Sequence, residues 1–306
     1  MNESSSSVPA EPPQEQPRAA TAGHTDAGAR QAGAVPGQSG GAAVQAGTGD
    51  GQAGGLMVRD VTVRFGGLTA LDGVSFTAAP RQVTGIIGPN GAGKTTLLNA
   101  VCGFVRPEAG QLSFDGHDLF RLRPHRLAGL GIARTLQGLG LFGGLTVLEN
   151  VMVGAQCHAR AGFWTALFGL PRSDRDERRL RERARAALDR VGAGDVADRM
   201  PGELAYGLRK RVAFARALAA GPRLLLLDEP ASGLPEEELT GIGELIRRIA
   251  TDTCVVLVEH RIDLMMVACD TIVVLDFGKV IATGPPSVVL TDPAVTTAYL
   301  GAAGDG

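Results

Sequence analysis

The chain has 306 residues, 44% of them hydrophobic, which is enough for one large domain or two small ones with a sizeable core. Its formal net charge is -2, so no overall positive field favours nucleic acid as a partner. No uninterrupted apolar run reaches about eighteen residues, so no membrane span is predicted. The first residues lack the basic and apolar regions of a signal peptide. Four cysteines without metal-ligand spacing predict reduced core thiols in a cytosolic protein.

The first 55 residues contain no Leu, Ile, Phe, Tyr, Trp or Lys. Ala, Gly, Pro, Ser and Gln dominate this segment, which therefore cannot bury enough apolar surface to offset the entropy of ordering it. Residues 1–55 are predicted to form a disordered tail that carries no catalytic residue. We expect an inert extension; the alternative is a tether for a partner.

The ordered part of the chain is predicted to begin with an antiparallel sheet. Residues 61–65 alternate apolar and polar side chains, as a half-buried strand does. Gly66-Gly67 makes a turn into a second strand at residues 71–79. Phe65 ends the first of these strands. An aromatic ring at that position could stack on a nucleotide base; the alternative is a place in the core.

The strongest motif is the glycine-rich loop at residues 88–96, which has the spacing G-x-x-x-x-G-K-[ST]. An apolar strand at residues 83–87 precedes the loop and a helix at residues 95–101 follows it, as this motif requires. The glycines let successive backbone N–H groups point at phosphate oxygens, and the helix start adds partial positive charge. Lys94 can reach the β- and γ-phosphates, and the Thr95 hydroxyl can bind Mg²⁺.

Short elements are predicted after this loop. A strand at residues 111–114 ends in the hairpin dipeptide Asp115-Gly116. A short helix is predicted at residues 123–131, and residues 132–136 then lead into Gln137.

The next segment begins with Thr146 and Glu149, whose spacing marks the start of a helix. Residues 155–175 contain a small apolar cluster, for which we favour a local core over a docking surface for another subunit. That cluster consists of Phe163, Trp164, Leu167, Phe168 and Leu170. Residues 172–190 have charges of both signs and an apolar face at helical spacing, which predicts a helix with a solvated outer face. The apolar face consists of Leu180, Ala184, Ala187, Leu188 and Val191.

Strands and helices alternate in the second half of the chain. The predicted strands are residues 223–228, 254–258, 271–275 and 280–282, the last two forming a hairpin. The predicted helices are one through residues 212–219, then residues 236–250, 285–290 and 293–300. Buried strands that alternate with helices predict a mostly parallel sheet covered on both faces.

Three strand ends of this sheet carry side chains suited to chemistry: the glycine-rich loop, Asp228-Glu229 and His260. The carboxyl ends of parallel strands meet at the edge where α/β folds bind ligands. Asp228 follows four leucines, a pattern typical of the magnesium-holding acid of P-loop ATPases. Glu229 could orient or deprotonate an attacking water, and His260 could donate to a γ-phosphate. The alternatives are a solvated loop start for the two acids and no role for the histidine.

Taken together, the motifs resemble the nucleotide-binding subunit of an ABC transporter from about residue 56 to residue 300. The matches are residues 204–207 to the signature loop, Gln137 to the glutamine loop, Asp228 to the Walker B acid, Glu229 to the catalytic glutamate, His260 to the switch histidine and Phe65 to the base-stacking aromatic. Finer patterns at residues 63–71, 133–137 and 258–260 resemble the branched-chain amino acid importer (Liv-type) subunit. Urea, amide and lipopolysaccharide-exporting relatives are similar.

The resemblance implies an α/β fold of the P-loop NTPase type, with a RecA-like, mostly parallel sheet, an antiparallel β subdomain and a helical subdomain. It implies an ATPase domain at residues 56–301, with the helical subdomain at about residues 138–205, and ATP and Mg²⁺ as ligands. The implied catalytic residues are Lys94, Gln137, Glu229 and His260, and the implied metal ligands are Thr95, Gln137 and Asp228. The implied nucleotide contacts are Phe65, Gly88, Pro89, Asn90, Gly91, Ala92, Gly93, Lys94, Thr95, Thr96, Ala205, Tyr206 and Gly207.

In such families two ATPase subunits close head to tail over ATP, and attached membrane subunits convert that motion into transport. The resemblance therefore implies transmembrane permease subunits and a second ATPase subunit, either the same chain or a paralogue. It also implies a solute-binding protein, a peripheral position on the cytoplasmic face of the cell membrane, and no nucleic acid. The expected activity is ATP hydrolysis that drives import of branched-chain amino acids or a related small polar solute.

Two residues depart from the family pattern. Leu208 replaces the polar residue that usually ends the signature, and Pro235 stands where the following loop usually has Asp. Proline has no N–H and a fixed φ, so the usual dimer contacts cannot form there. We expect hydrolysis to be retained, if slowly. The alternatives are a nucleotide-gated regulatory or structural subunit with little hydrolysis and a soluble ABC protein acting on ribosomes or DNA; one phosphate loop and a near-neutral charge speak against the latter.

Overall fold

The computed structural model describes residues 54–135, 138–158 and 171–301, with the backbone alone for residues 158, 171–174 and 299–301. The predicted tail, apart from Gly54 and Gly55, and the apolar cluster predicted around Trp164 lie outside these residues.

The first part of the described chain forms a four-stranded antiparallel sheet in the order β2-β1-β4-β5. Its strands are β1 (Leu56–Phe65), β2 (Leu68–Ala78), β4 (Ala109–Phe114) and β5 (His117–Asp118). Asp115 and Gly116 both have positive φ, 49° and 78°, as the two central residues of a tight hairpin turn require. The predicted antiparallel sheet is therefore confirmed, and both of its first two strands begin earlier than the sequence pattern indicated.

The second sheet has six strands in the order β10-β9-β3-β8-β7-β6. Its strands are β3 (Val83–Ile87), β6 (Ile132–Arg134), β7 (Leu224–Asp228), β8 (Cys254–Val258), β9 (Thr271–Asp276) and β10 (Lys279–Gly284). All neighbouring pairs are parallel except the β9–β10 hairpin. The prediction of a mostly parallel sheet is thus confirmed, and its central strands carry the site described below.

Helices surround these sheets. They are α1 (Lys94–Val101), α2 (Val147–Ala155), α3 (Pro171–Arg190), α4 (Tyr206–Ala219), α5 (Glu236–Ala250), α6 (Ile262–Ala268), α7 (Pro286–Val289) and α8 (Pro293–Gly301). The sequence did not predict α6. The short helix predicted at residues 123–131 is wrong in type, because two 3₁₀ turns, Pro124–Arg126 and Ala128–Leu130, occupy that segment. Each 3₁₀ turn spans three residues, which is shorter than a single turn of an α-helix.

Alternate residues of the parallel strands belong to two different hydrophobic clusters, because successive strand side chains point to opposite faces. Leu224 and Leu226 pack with β1, β2 and α1, whereas Leu225 and Leu227 pack with α2, α4 and α5. All four leucines are fully buried. Burying each such side chain stabilises the fold by about 2 kcal/mol, so this strand is anchored on both faces.

Helices α2, α3 and α4 pack against one another on one side of the parallel sheet. The apolar face predicted for residues 180–191 is the buried face of α3: Ala184 and Leu188 are fully buried, while most of its arginines are exposed. Among the described residues, no helix is both long and apolar enough to cross a membrane.

The four cysteines are free thiols. Cys102, Cys254 and Cys269 are buried, as the core-thiol prediction expected, and Cys157 is exposed. Burial raises the pKa of Cys254 to about 11 and that of Cys269 to about 12, so both thiols stay protonated near neutral pH.

Candidate nucleotide-binding site

The three predicted strand ends lie side by side, because β3, β8 and β7 are neighbours in the parallel sheet. Backbone hydrogen bonds extend this pairing past the strands. The N–H of Glu229 donates to the carbonyl of Val258 at 2.9 Å, and the N–H of Glu259 donates to the carbonyl of Ile86 at 3.3 Å. The segments that carry Lys94, Asp228-Glu229 and His260 therefore start from one edge, as the sequence predicted.

The phosphate loop, residues 88–96, depends on glycine where its backbone turns. Gly88 has φ 154° and Gly93 has φ 100°, values that other residues rarely adopt. A Cβ at Gly88 would lie 2.1 Å from the carbonyl oxygen of Leu275, and one at Gly93 would lie 2.6 Å from that of Ala70. No side chain caps the start of α1, which follows Gly93. Its first N–H groups and partial positive charge are therefore available to an anion.

Lys94 lies inside the curve of this loop. Its Nζ donates to the carbonyl oxygens of Gly88 at 2.7 Å and Pro89 at 2.8 Å. Burial lowers the pKa of the Lys94 ammonium, and the negative charges of Glu229 and Asp228 oppose that shift. The lysine and both carboxylates are therefore close enough to interact electrostatically. A site that binds a charged phosphate chain and its counterion requires such an arrangement.

Asp228 is buried at the end of β7, with 4% of its surface exposed. Its Oδ2 pairs with Nη2 of Arg134 at 2.7 Å, and Nη1 of Arg134 donates to Oδ1 of Asn99 at 2.7 Å. No sequence pattern predicted a role for Arg134 or Asn99. Their contacts follow from the pairing of β6 with β7 and from the position of α1, which no local sequence pattern specifies.

The donor set suits Mg²⁺, which prefers hard oxygen ligands and uses few protein carboxylates beside substrate phosphates. In the described chain the Asp228 hydrogen bond uses Oδ2, which leaves Oδ1 for a metal, and the Thr95 hydroxyl is at the start of α1. No group of three or more His, Cys, Asp or Glu side chains suited to a metal occurs among the described residues. Gln137, the third predicted metal ligand, lies outside them.

Glu229 and His260 occupy the two loops beside Asp228. Glu229 has φ 48°, an uncommon conformation for a residue with a side chain. The His260 side chain is 57% exposed, and its Nδ1 lies 3.7 Å from Oε2 of Glu259. Glu259 is fully buried, and no sequence pattern predicted a role for it.

Phe65 is 50% exposed at the end of β1, where it pairs with Leu68 at the start of β2. The core alternative for Phe65 is therefore wrong, and the ring is accessible for stacking. Further along β2, Ala70 and Leu71 pack against Gly93, so this hairpin is continuous with the phosphate loop.

The predicted signature residues Ala205, Tyr206 and Gly207 begin α4. The Tyr206 hydroxyl donates to the carbonyl of Ser232 at 3.2 Å. A Cβ at Gly207 would lie 1.7 Å from a carboxylate oxygen of Glu238, so only glycine fits there without a shift of that side chain. Within this chain, the signature residues thus contact the segment after β7. Leu208 is partly buried and packs against the hydrophobic cluster that contains Leu225 and Leu227.

A strand, phosphate loop and helix, with two acids at the end of the next strand but one in the sheet, define a P-loop nucleotide-binding cassette. The sequence matches the ABC transporter family over residues 71–232 and the branched-chain amino acid ATP-binding cassette transporter family over residues 279–305. The chain therefore belongs to the ABC transporter ATP-binding family, which confirms the predicted resemblance and fold class.

Individual relatives agree with this assignment. The chain is 40% identical over 250 residues to the high-affinity branched-chain amino acid transport ATP-binding protein BraF of Pseudomonas aeruginosa, covering 81% of this chain and 98% of the relative. The ADP conformation of MJ1267, an ATP-binding cassette of an ABC transporter, superposes with a TM-score of 0.71 at 32% identity, covering 82% and 100%. The dimeric structure of MJ0796, a bacterial ABC transporter cassette, gives 0.63 at 26% identity, covering 76% and 98%.

Proposed function

We propose that this chain binds and hydrolyses ATP as the energy-converting subunit of an importer for branched-chain amino acids or a related small polar solute. The observation that carries the proposal is the convergence of Lys94, Asp228, Glu229 and His260 at the ends of three adjacent strands. The resemblance to BraF supports the substrate class.

Each residue has a specific role in this proposal. The N–H groups of the phosphate loop and Lys94 bind the phosphates, and Phe65 stacks on the base. Mg²⁺, held by Asp228, Thr95 and Gln137, would neutralise charge on the β- and γ-phosphates.

Glu229 accepts a proton from the attacking water, whose oxygen bonds to the γ-phosphorus as the bond to the β–γ bridging oxygen breaks. His260 donates to the γ-phosphate, and Gln137 orients the water. The products are ADP and phosphate.

The active form in this proposal is a head-to-tail dimer, of this chain or with a paralogue. Ala205, Tyr206 and Gly207 of one subunit then lie over ATP held by residues 88–96 of the other. The uncapped start of α4 supports this role, since its N–H groups can receive an anion. The dimeric state of MJ0796 supports the arrangement.

The proposal extends to the assembly. The ATPase domain comprises residues 56–301, and its helical subdomain, at about residues 138–205, meets transmembrane permease subunits on the cytoplasmic face of the membrane. A solute-binding protein completes the importer. The net charge of -2 supports the expectation that the chain does not bind nucleic acid.

A second candidate is a regulatory subunit that binds ATP and scarcely hydrolyses it. Leu208 favours this candidate because it places an apolar side chain where the signature usually has a polar one. Pro235, the residue before α5, favours it because proline has no N–H and a fixed φ, so the usual dimer contacts of this loop cannot form. Turnover by the wild-type protein separates the two candidates.

The deciding experiment compares the wild type with Glu229→Gln across protein concentration. We expect both proteins to bind ATP with dissociation constants within about threefold, while turnover falls at least about 100-fold in the variant, because the base is lost. Turnover per wild-type molecule should rise with concentration if a dimer is required. Glu244→Gln, on the exposed face of α5, is the matched control. Equal turnover in the wild type and Glu229→Gln would exclude the proposed role of Glu229.

A further inference from the structure

Glu259 is a fully buried carboxylate between two loops of the site. Burying a charge is costly unless hydrogen bonds or an ion pair compensate for it. Among the described residues its one ion-pair partner is the imidazole of His260, at 3.7 Å. An apolar residue at this position would avoid the cost of desolvation. The contacts that the carboxylate makes therefore indicate its role.

The two carboxylate oxygens of Glu259 bind different loops. Oε1 accepts the backbone N–H of Ala231 at 2.7 Å, and this bond is itself buried. Oε2 accepts the backbone N–H of His260 at 3.1 Å and faces Nδ1 of the same residue. Ala231 is two residues after Glu229. The side chain therefore joins the loop that carries Glu229 to the loop that carries His260.

Both loops need such support. Glu229 has φ 48°, and an uncommon backbone conformation persists only where surrounding contacts fix it. The N–H of Ser232 donates to the carbonyl of Glu229 at 3.1 Å, so the Glu259 bond to Ala231 lies within the same turn. The His260 ring is 57% exposed, so few neighbours restrain it. With Nδ1 facing Glu259, the Nε2 edge is presented on the other side of the ring.

We propose that Glu259 is a positioning residue that sets the geometry of Glu229 and His260 relative to each other. It acts by fixing the turn at Ala231 and the backbone at His260, so that the carboxylate of Glu229 and the imidazole of His260 are held at a defined separation. This inference rests on the proposed hydrolytic function of the site. Glu259 itself does not touch the nucleotide.

The first test is kinetic and uses Glu259→Gln in the full-length chain. Glutamine keeps the size of the side chain but has one acceptor oxygen, so it cannot accept from Ala231 and His260 at once. We expect kcat to fall about 10- to 100-fold, as small misplacements of catalytic groups do. KM and the dissociation constant for ATP should stay within about twofold of the wild type, because no contact with ATP is lost.

The matched control is Asp270→Asn. Asp270 also accepts a backbone N–H, that of Val83 at 2.8 Å, but it lies just before β9, at the opposite edge of the parallel sheet. The same chemical change there should leave kcat within about twofold of the wild type. If Asp270→Asn lowered kcat as much as Glu259→Gln, general loss of stability would explain both effects and the proposal would fall.

The second test is independent of turnover. Hydrogen exchange of the backbone amides of Ala231 and His260, measured by NMR without nucleotide, reports whether the Glu259 carboxylate holds them. We expect at least one of these two amides to exchange about tenfold faster or more in Glu259→Gln than in the wild type, and the amide of Val83, which Asp270 holds, to be unchanged. A wild type without turnover would defeat the proposed function, and this measurement would still decide the role of Glu259.

Glu259→Asp keeps the negative charge and shortens the side chain by one methylene, so it covers the case in which Glu259→Gln does not fold. We expect a folded protein whose kcat is reduced at least about tenfold, because the shorter carboxylate cannot span both loops. Wild-type kcat in a folded Glu259→Asp or Glu259→Gln variant, or unchanged exchange of both amides in either variant, would overturn the proposal.

Discussion

At the scale of single residues, the ion pair between Arg134 and Asp228 decides how the carboxylate of Asp228 is presented. The Asp228 side chain is 2% exposed and that of Arg134 is 17% exposed, so solvent screens the pair little. The second nitrogen of the guanidinium donates a hydrogen bond to Asn99, which fixes the plane of the guanidinium group. Asp228 therefore has one defined orientation before any ligand binds.

Removing the guanidinium should leave a buried negative charge without its nearest partner. We expect Arg134→Met to lower the free energy of unfolding by about 3 kcal/mol. This value is at the lower end of the losses seen when a buried ion pair is broken, because Lys94 supplies a second positive charge near Asp228. Urea unfolding without Mg²⁺ or nucleotide measures the loss. Arg199→Met is the matched control, since it breaks a pair with Glu203 in which both side chains are 53% exposed, and it should cost less than about 1 kcal/mol. Equal losses would show that burial of the Asp228 pair is unimportant.

At the scale of elements, helix α2 begins with a capping box whose parts are all present. The Thr146 hydroxyl accepts the N–H of Glu149 at 3.2 Å, and Oε2 of Glu149 accepts the backbone N–H of Thr146 at 2.8 Å. Two hydrogen bonds to the Glu149 carboxylate lower its pKa: the larger effect comes from the backbone N–H of Thr146 and the smaller from the Thr146 hydroxyl. The helix start predicted from the Thr146–Glu149 spacing is thus confirmed.

The lowered pKa makes the contribution of this cap depend on pH. A carboxyl whose folded-state pKa is depressed stabilises the fold above its ordinary value of 4.5, and that contribution is lost as the pH falls through the folded-state pKa. The difference in unfolding free energy between the wild type and Glu149→Gln should therefore narrow below about pH 4.5. In a Thr146→Ala background, which itself costs about 1 kcal/mol, the narrowing should be smaller because the hydroxyl donor is gone. A difference that is constant with pH in the wild-type background would contradict this account.

The elements differ in how well the sequence specified them. β3, β8 and α5 have the predicted bounds, because each is a continuous apolar or amphipathic segment with clear ends. α6 was not predicted because it has only seven residues and the residue before it, Arg261, provides no side-chain cap. Arg134 and Glu259 escaped prediction for another reason. Their partners, Asp228 and Ala231, are near them only because β6 and β8 flank β7, and sheet order cannot be deduced from a local pattern.

At the scale of the whole molecule, the two sheets share one buried cluster. Strand β1 contributes Leu56 and Val58 to it, at 0% and 2% exposure, directly after the first described residues. The N–H of Gly55 donates to Oδ1 of Asp115 at 2.9 Å, so contacts with the rest of the fold begin at that residue. The composition of residues 1–55 predicts a tail without a core of its own, and the boundary near residue 55 can be tested by truncation.

Two truncations that differ by five residues place this boundary. Deletion of residues 1–53 should change the free energy of unfolding by less than about 0.5 kcal/mol and Tm by less than about 2 °C, because no described contact is lost. Deletion of residues 1–58 also removes Leu56 and Val58, which should cost about 3–6 kcal/mol in lost burial alone. Thermal and urea unfolding of both truncated proteins beside the full chain measure the difference. A large drop in Tm for the shorter deletion would mean that residues 1–53 contribute to the folded domain, and the tail prediction would then be wrong.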